Sequence, residues 1–462
     1  MTPKFVQVGD PPTATQRPQT SEIHGIERTD EFAWLRADNW QEVMRDPQVL
    51  DGEIRAYLEA ENSFQQSVMS QSTDLQDKLF EEMKGRIKQD DSSVPAKDGR
   101  YRYQIRFVAG GEQPRFVRID EDDSEVEIVN GDSEAEGHSY FRLGGASHSV
   151  DHKWVAWSAD NAGSEYFELK FRNVEDGQDQ VHTVPNTSGG GTWSADSQSF
   201  VYTQLDEHHR PSKVMLHALG TDTNEDKLLF EEKDPGQFVG VGKSQSGDWI
   251  FIDVHDHESS EVFMMPAGKP EAKPRMIAPR QARIEYSVDE GEGILYILTN
   301  DGGATDFKIV TAPAANPGKD NWSDLVPHQD GRLILSHDVL KDHLVWLERQ
   351  DGLPRIMIRQ LSTGEEHAIA FNEEAYSLGL VSGYEYDTST IRFVYSSMTT
   401  PSRTYDYDLV SRARTLMKEQ EIPSGHDPQD YVTRRVQARS HDGALVPVSL
   451  LYRKDTVLDG SA

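Results

Sequence analysis

The chain contains no cysteine, which excludes disulfides and thiolate metal sites and is compatible with a reducing compartment. No apolar run approaches the roughly 20 residues that a membrane helix requires. The opening stretch, MTPKFVQVGDPPTATQRPQT, lacks the apolar h-region and the small-residue cleavage site of a secretory signal. These absences lead to the expectation of a soluble, cytoplasmic protein with no membrane contact. Positive charge is scarce: 47 Lys and Arg stand against 79 Asp and Glu, a formal net charge of −32. Such a surface repels phosphate backbones, which argues against nucleic acid as a partner, and attracts cationic peptides. An acidic or saline habitat gives the same balance, and composition does not separate the two.

A complete nucleophile elbow, G-x-S-x-G, is also missing. Gly242-Lys243-Ser244-Gln245-Ser246 and Gly145-Ala146-Ser147-His148-Ser149 fail at the last glycine, and no amphipathic helix follows either. Both read as turns at strand ends. The run Gly189-Gly190-Gly191 has no Lys-Ser/Thr or helix after it, so it is close backbone packing and not a phosphate loop. Residues 120–125 (DEDDSE) lack the Gly and terminal Glu of a calcium loop and read as a solvated hairpin. His255-Asp256-His257-Glu258 would place its imidazoles on one strand face, a spacing able to hold a metal. It follows an apolar strand at a hairpin, however, where polar clusters are routine, and His208-His209 reads as a turn. No cofactor and no metal ligand is assigned.

What the sequence does have is a repeat. After an extended start to about Thr20, apolar residues recur at helical spacing from Asp46 to Ser72, and Asp74 reads as the N-cap of a second helix that Gly85 ends. From about Val94 the texture turns to short β-type runs. An Asp/Gly/Ser turn followed by aromatic and aliphatic residues recurs at 151–157 (DHKWVAW), 196–202 (DSQSFVY), 246–252 (SGDWIFI), 290–297 (EGEGILYI), 342–347 (DHLVWL) and 387–395 (DTSTIRFVY). Successive copies lie about 45–50 residues apart, the period of a four-stranded propeller blade. With an earlier unit at 101–119, the count comes to about seven. The expected fold is all-β, a seven-bladed β-propeller; two stacked sandwiches would not require so regular a period. Near Glu421 the texture changes again, to a linker and a β-hairpin at 431–452 around His441-Asp442-Gly443. A lone hairpin wants a sheet to join.

Particular segments resemble one family. Residues 30–38 (DEFAWLRAD) and 57–62 (YLEAEN) are similar to the N-terminal arm of the prolyl oligopeptidase family. Residues 81–95 (EEMKGRIKQDDSSVP), Arg210-Pro211-Ser212-Lys213-Val214, residues 397–401 (SMTTP) and 427–454 resemble its oligopeptidase B branch. The resemblance implies three parts: a helical arm at 1–85, the propeller at 86–420, and at 421–462 a linker and the first hairpin of an α/β-hydrolase domain that is otherwise absent. It also implies a serine peptidase that cleaves short basic peptides after Lys or Arg, with the propeller gating access. The Ser-Asp-His triad would lie beyond Ala462, so no catalytic residue is named and this chain alone is expected to be inactive. By the same resemblance Glu165, in Gly163-Ser164-Glu165-Tyr166, is expected at the seam between propeller and hydrolase domain. The alternative is a free-standing propeller that serves as a binding scaffold without catalysis.

Overall fold

The computed structural model describes residues 9–461. They fall into two compact units. One runs to Ile87 and includes Ala162–Ser164; the other holds Lys88–Asn161 and the chain from Glu165 onward. Of the extended N-terminal segment expected above, residues 1–8 lie outside the described residues. No helix among the described residues is long and apolar enough to cross a membrane.

In the first unit the strands Gln19–Ile23 and Ile26–Asp30 pair antiparallel. The sequence reading placed helix directly after Thr20 and missed this hairpin. Its signal is the two-residue turn His24-Gly25, both at positive φ (55° and 74°), as a tight hairpin needs. The helix Gly52–Met69 begins where Asp51 caps it, its carboxylate accepting from the N–H groups of Glu53 (2.8 Å) and Ile54 (3.2 Å). The next helix, Thr73–Gly85, starts earlier than expected. Ser72 holds the N-cap position, and Asp74 lies inside the first turn, where a negative charge suits the amide dipoles. Leu75, Leu79, Phe80 and Met83 of this helix are exposed.

The second unit is built of antiparallel strands, and its longest helix among the described residues, Gly131–Glu134, has four residues. The recurring polar turn has a defined chemistry. The hydroxyls of Ser149, Ser194 and Ser244 accept from the N–H five residues on, at Trp154 (3.0 Å), Ser199 (3.1 Å) and Trp249 (3.1 Å). They reach Asp151 (2.7 Å), Asp196 (2.6 Å) and Ser246 (2.8 Å) across the turn. His152, Ser197 and Gly247 take the positive φ that closes it (60°, 60° and 82°).

Each turn leads into a strand buried on both faces. Phe200, Val201 and Tyr202 are buried in succession, as are Ile250 to Ile252 and Leu344 to Trp346. Side chains alternate between faces, and here each face meets a neighbouring sheet. Ile250, Ile252 and Val254 pack with Val201, Val214 and Val239, whereas Phe251 packs with Val262, Leu295 and Ile297. One residue along, Tyr296 and Leu298 join Leu344 and Trp346, and Val345 turns the other way to Ile391 and Phe393. The core is thus a series of inter-sheet layers arranged around a ring.

Within 91–419 the strands form a five-stranded sheet, a seven-stranded sheet and four four-stranded sheets. The seven-stranded sheet arises because Val184–Trp193 is shared. Its start pairs with Phe167–Asn173 through Val184 and Thr187, and its end pairs with Ser199–Leu205 through Gly191 to Trp193. The triple glycine sits at this crossing. A Cβ on Gly191 would lie 2.3 Å from Phe200 Cε1 and 2.4 Å from the Val201 carbonyl, and Gly189 (φ +88°) lies against Phe167 and Ser158. The β-type run Val181-His182-Thr183 just before it stays outside the sheet: the strand begins at Val184, and Val181 is 91 % exposed.

The first and last sheets share no strand among the described residues. Side chains join them instead. Arg392 Nη1 donates to the carbonyls of Val94 (3.2 Å) and Pro95 (3.0 Å) while its fork holds Asp406 (2.7 and 3.0 Å). Lys418 binds Asp91 (2.8 Å), and Lys97 binds Glu385 (2.9 Å). Replacing Arg392 with Met leaves Asp406 and both carbonyls without their donor. The expected loss is about 2 kcal/mol, seen as a lower urea midpoint with unchanged slope; an unchanged midpoint contradicts this role.

Candidate functional site

The inner strands of the ring end at one mouth. Ala96–Asp98, Arg142–His148, Val184–Trp193 and Phe238–Lys243 finish in Asp98, His148, Trp193 and Lys243, so the repeat delivers an acid, an imidazole, an indole and an amine to equivalent positions. They line a cavity of about 590 Å³ with Gln245 and Tyr384. His148 Nε2 lies 2.7 Å from Asp98 Oδ2. The Tyr103 ring stacks on His148, with centroids 3.7 Å apart and planes 5° apart, and its hydroxyl is 2.8 Å from His152 Nδ1. Tyr384 meets His148 edge-on at 4.7 Å.

Burial opposes the charge on Asp98, yet the hydrogen bond and charge of His148, with His152 and Lys243 behind, hold its carboxyl below the usual range. Burial pulls both His152 and Lys243 down, and Asp98 opposes it in each case. Burial also raises Tyr103, which therefore stays a neutral hydroxyl.

Three more acids lie beside Gln245, Ser246 and Ser382. Asp289 accepts from the N–H groups of Gln245 (2.9 Å) and Glu290 (2.7 Å), but burial outweighs these bonds and pushes its carboxyl up to about 6. Asp338 is raised by burial too, against a bond from Ser382 Oγ (3.1 Å). Glu290 is buried and accepts from Ser246 Oγ (2.6 Å). Residues 382–387 of the last sheet reach across to these groups, with Gln245 Nε2 donating to the Gly383 carbonyl (2.9 Å).

Glu165 lies elsewhere. It follows the strand Trp154–Asp160 at the end opposite the His152 turn, has φ +59°, and donates its N–H to Asp160 Oδ2 (2.7 Å). Its carboxylate is 3.7 Å from Arg142 with 65 % of the side chain exposed. Turns on that same side of the ring hold the hairpin Tyr431–Arg439 and Leu445–Arg453. Glu374 accepts from Arg435 N (2.8 Å) and pairs with Arg434 (3.1 Å), and Arg435 reaches the Asp351 carbonyl.

The segments read as turns behave as such. Asp206 accepts from His208 N (2.8 Å), and His209 packs edge-on against Tyr166 (4.2 Å). His255 faces Asp253 (2.8 Å), and Ser124 N donates to Asp122 (3.0 Å). The two incomplete elbows are inner-strand ends that carry His148 and Lys243 into the mouth. The sequence reading missed the Asp98–His148–His152 cluster. Asp98 and His148 are 50 residues apart, one repeat, so aligning the blades on their inner strands was the signal.

Residues 11–420 match the family model described as the prolyl oligopeptidase N-terminal beta-propeller domain. The chain belongs to that family. A dipeptidyl aminopeptidase BI from Pseudoxanthomonas mexicana is 34 % identical to this family member over 98 % of the chain, and a Protease 2 from Moraxella lacunata is 25 % identical over 98 %. Each match spans 64 % of the relative's own length. Oligopeptidase B from Leishmania major superposes with a TM-score of 0.89 at 28 % identity, covering 97 % of this chain and 66 % of that one. Oligopeptidase B from Trypanosoma brucei, in a closed form with covalently bound antipain, gives 0.88 at 28 %, also over 97 % and 66 %. This prolyl oligopeptidase-type propeller is thus similar over nearly its whole length to two oligopeptidases B.

The raised carboxyl of Asp289 has a measurable consequence. Between about pH 4 and 6 the folded chain keeps a proton that the unfolded chain has released, so this group's effect on stability worsens as pH rises through about 6. Asp289→Asn is expected to stabilise the protein above pH 6, by on the order of 2 kcal/mol, and to converge with the parent near pH 4. Thermal unfolding of both across that range checks it; parallel profiles contradict it.

Proposed function

We propose that this chain is the arm and propeller of a serine-type oligopeptidase that hydrolyses short peptides after Lys or Arg. The propeller admits flexible chains and excludes folded proteins, and an α/β-hydrolase domain outside these 462 residues carries the triad. The observation that carries the reading is the hairpin Tyr431–Arg453: it is anchored to the ring by Glu374, while Leu445, Val446, Leu450 and Leu451 stand exposed. A two-stranded ribbon with an apolar surface is what a hydrolase sheet extends. The exposed Leu75, Leu79, Phe80 and Met83 of the arm supply a second such surface.

In this reading the parts are 1–85 (arm), 86–420 (propeller) and 421–462 (linker and first hydrolase strands). The propeller has seven blades, the seven-stranded sheet counting as two four-stranded blades that share Val184–Trp193. The formal charge of −32 and the carboxylates lining the mouth, Asp98, Asp248, Glu385 and Asp387, favour basic peptides. The name of the 34 % identical relative adds a variant, removal of dipeptides from a free amino terminus.

Two experiments test the proposal. Fused after Arg453 to the hydrolase portion of that relative, the chain is expected to cleave Lys- and Arg-containing peptides and to spare folded casein-sized proteins. Comparing free with blocked amino termini reads the dipeptidyl variant, and a folded fusion without peptidase activity overturns the proposal. Glu165 is assigned to the seam between propeller and hydrolase domain, supported by its exposure and its distant ion pair with Arg142. In the same fusion Glu165→Gln should favour the open form, lowering kcat/KM several-fold with a weaker salt dependence; closure that is unchanged by scattering removes Glu165 from that role.

A further inference from the structure

The three ligand-type atoms of Asp98, His148 and His152 lie within 4.8 Å of one another. Several features of their setting exceed what a turn requires. The turns equivalent to the one holding His152 carry Ser197 and Gly247 at the same positive-φ position, so only this turn brings an imidazole there. The ring of His152 is oriented from behind: its Nδ1 is engaged by the Tyr103 hydroxyl at 2.8 Å, which leaves Nε2 for the cluster. The ring of His148 is fixed by Tyr103 stacked at 3.7 Å and Tyr384 at 4.7 Å, and the two imidazoles lie 14° from parallel with centroids 5.4 Å apart. An imidazole whose second nitrogen is held by an outer partner is the common arrangement of a metal-ligating histidine. The 590 Å³ cavity provides the entry path.

We propose that Asp98, His148 and His152 bind one zinc-type divalent transition-metal ion at the mouth of the propeller. Two imidazoles and a carboxylate suit such an ion, with bonds of about 2.0–2.2 Å and a water in the fourth position. Side-chain rotations of roughly 1 Å bring the ligand atoms to the spacing those bonds require. On binding, His148 carries its single proton on Nδ1 instead of Nε2, and the ion takes the place of the hydrogen between His148 Nε2 and Asp98 Oδ2. The ion then joins the inner strand of the first sheet, which ends at Asp98, to the inner strand and turn of the next, which supply His148 and His152. Lys243, whose charge acts on Asp98, is the competing cation. This proposal stands apart from the peptidase reading and holds or fails without it.

Titration calorimetry with zinc chloride on the EDTA-treated, dialysed chain tests it. One equivalent is expected to bind, and cobalt(II) should give the visible bands of a nitrogen-oxygen site. His148→Ala and His152→Ala should each weaken this binding at least about 100-fold, and Tyr103→Phe about tenfold. Lys243→Met should tighten it. His328→Ala, at the separate Asp306–His328–Asp330 group, should leave it unchanged. Circular dichroism and melting in EDTA confirm that each variant is folded. Zinc binding that survives in folded His148→Ala and His152→Ala, or no binding by the parent chain, overturns the proposal.

Discussion

Arg392 and Lys418 do for this ring what a shared strand would otherwise do. Each sheet buries both faces against its neighbours, so a row of such sheets is stable only if its first and last members also meet. Here they meet through a guanidinium on the Val94 and Pro95 carbonyls and an ammonium on Asp91. These are charge-assisted bonds in partly buried settings, stronger than ordinary ones but dependent on a few atoms. The layered core, the placement of the inner strands and the geometry of the mouth all follow from that closure.

The mouth inherits its chemistry from the same repeat. Equivalent strand ends carry Asp98, His148, Trp193 and Lys243, and later blades set Asp289 and Asp338 beside Gln245 and Ser382. Residues 382–387, on the last sheet, touch Lys97 of the first and Gln245 of a middle one. The closure of the ring and the width of its mouth are therefore set by overlapping contacts.

Much of this was legible in the sequence, because the repeat is written in residues whose roles are local. Ser149, Ser194 and Ser244 make the turns, and Trp157, Tyr202 and Ile252 fill the layers between sheets. The hairpin at Gln19–Ile23 and Ile26–Asp30 was missed because its strands are polar and exposed, so only His24-Gly25 marks it. The start of the strand at Val184 is not legible from propensity, because Val181 just before it has β propensity and no sheet to join. The cluster of Asp98, His148 and His152 left no trace in any single window, since the packing of the first sheet beside the next brings it together.

The shared strand Val184–Trp193 has a mechanical corollary. Two runs of sheet hydrogen-bonded through one continuous backbone cannot slide or tilt apart without breaking that ladder, whereas the junction of first and last sheets is held by side chains alone. Among the described residues, 142–231 therefore form the one arc of the ring in which a single backbone ties two runs of sheet together, while the other sheets meet their neighbours through side chains.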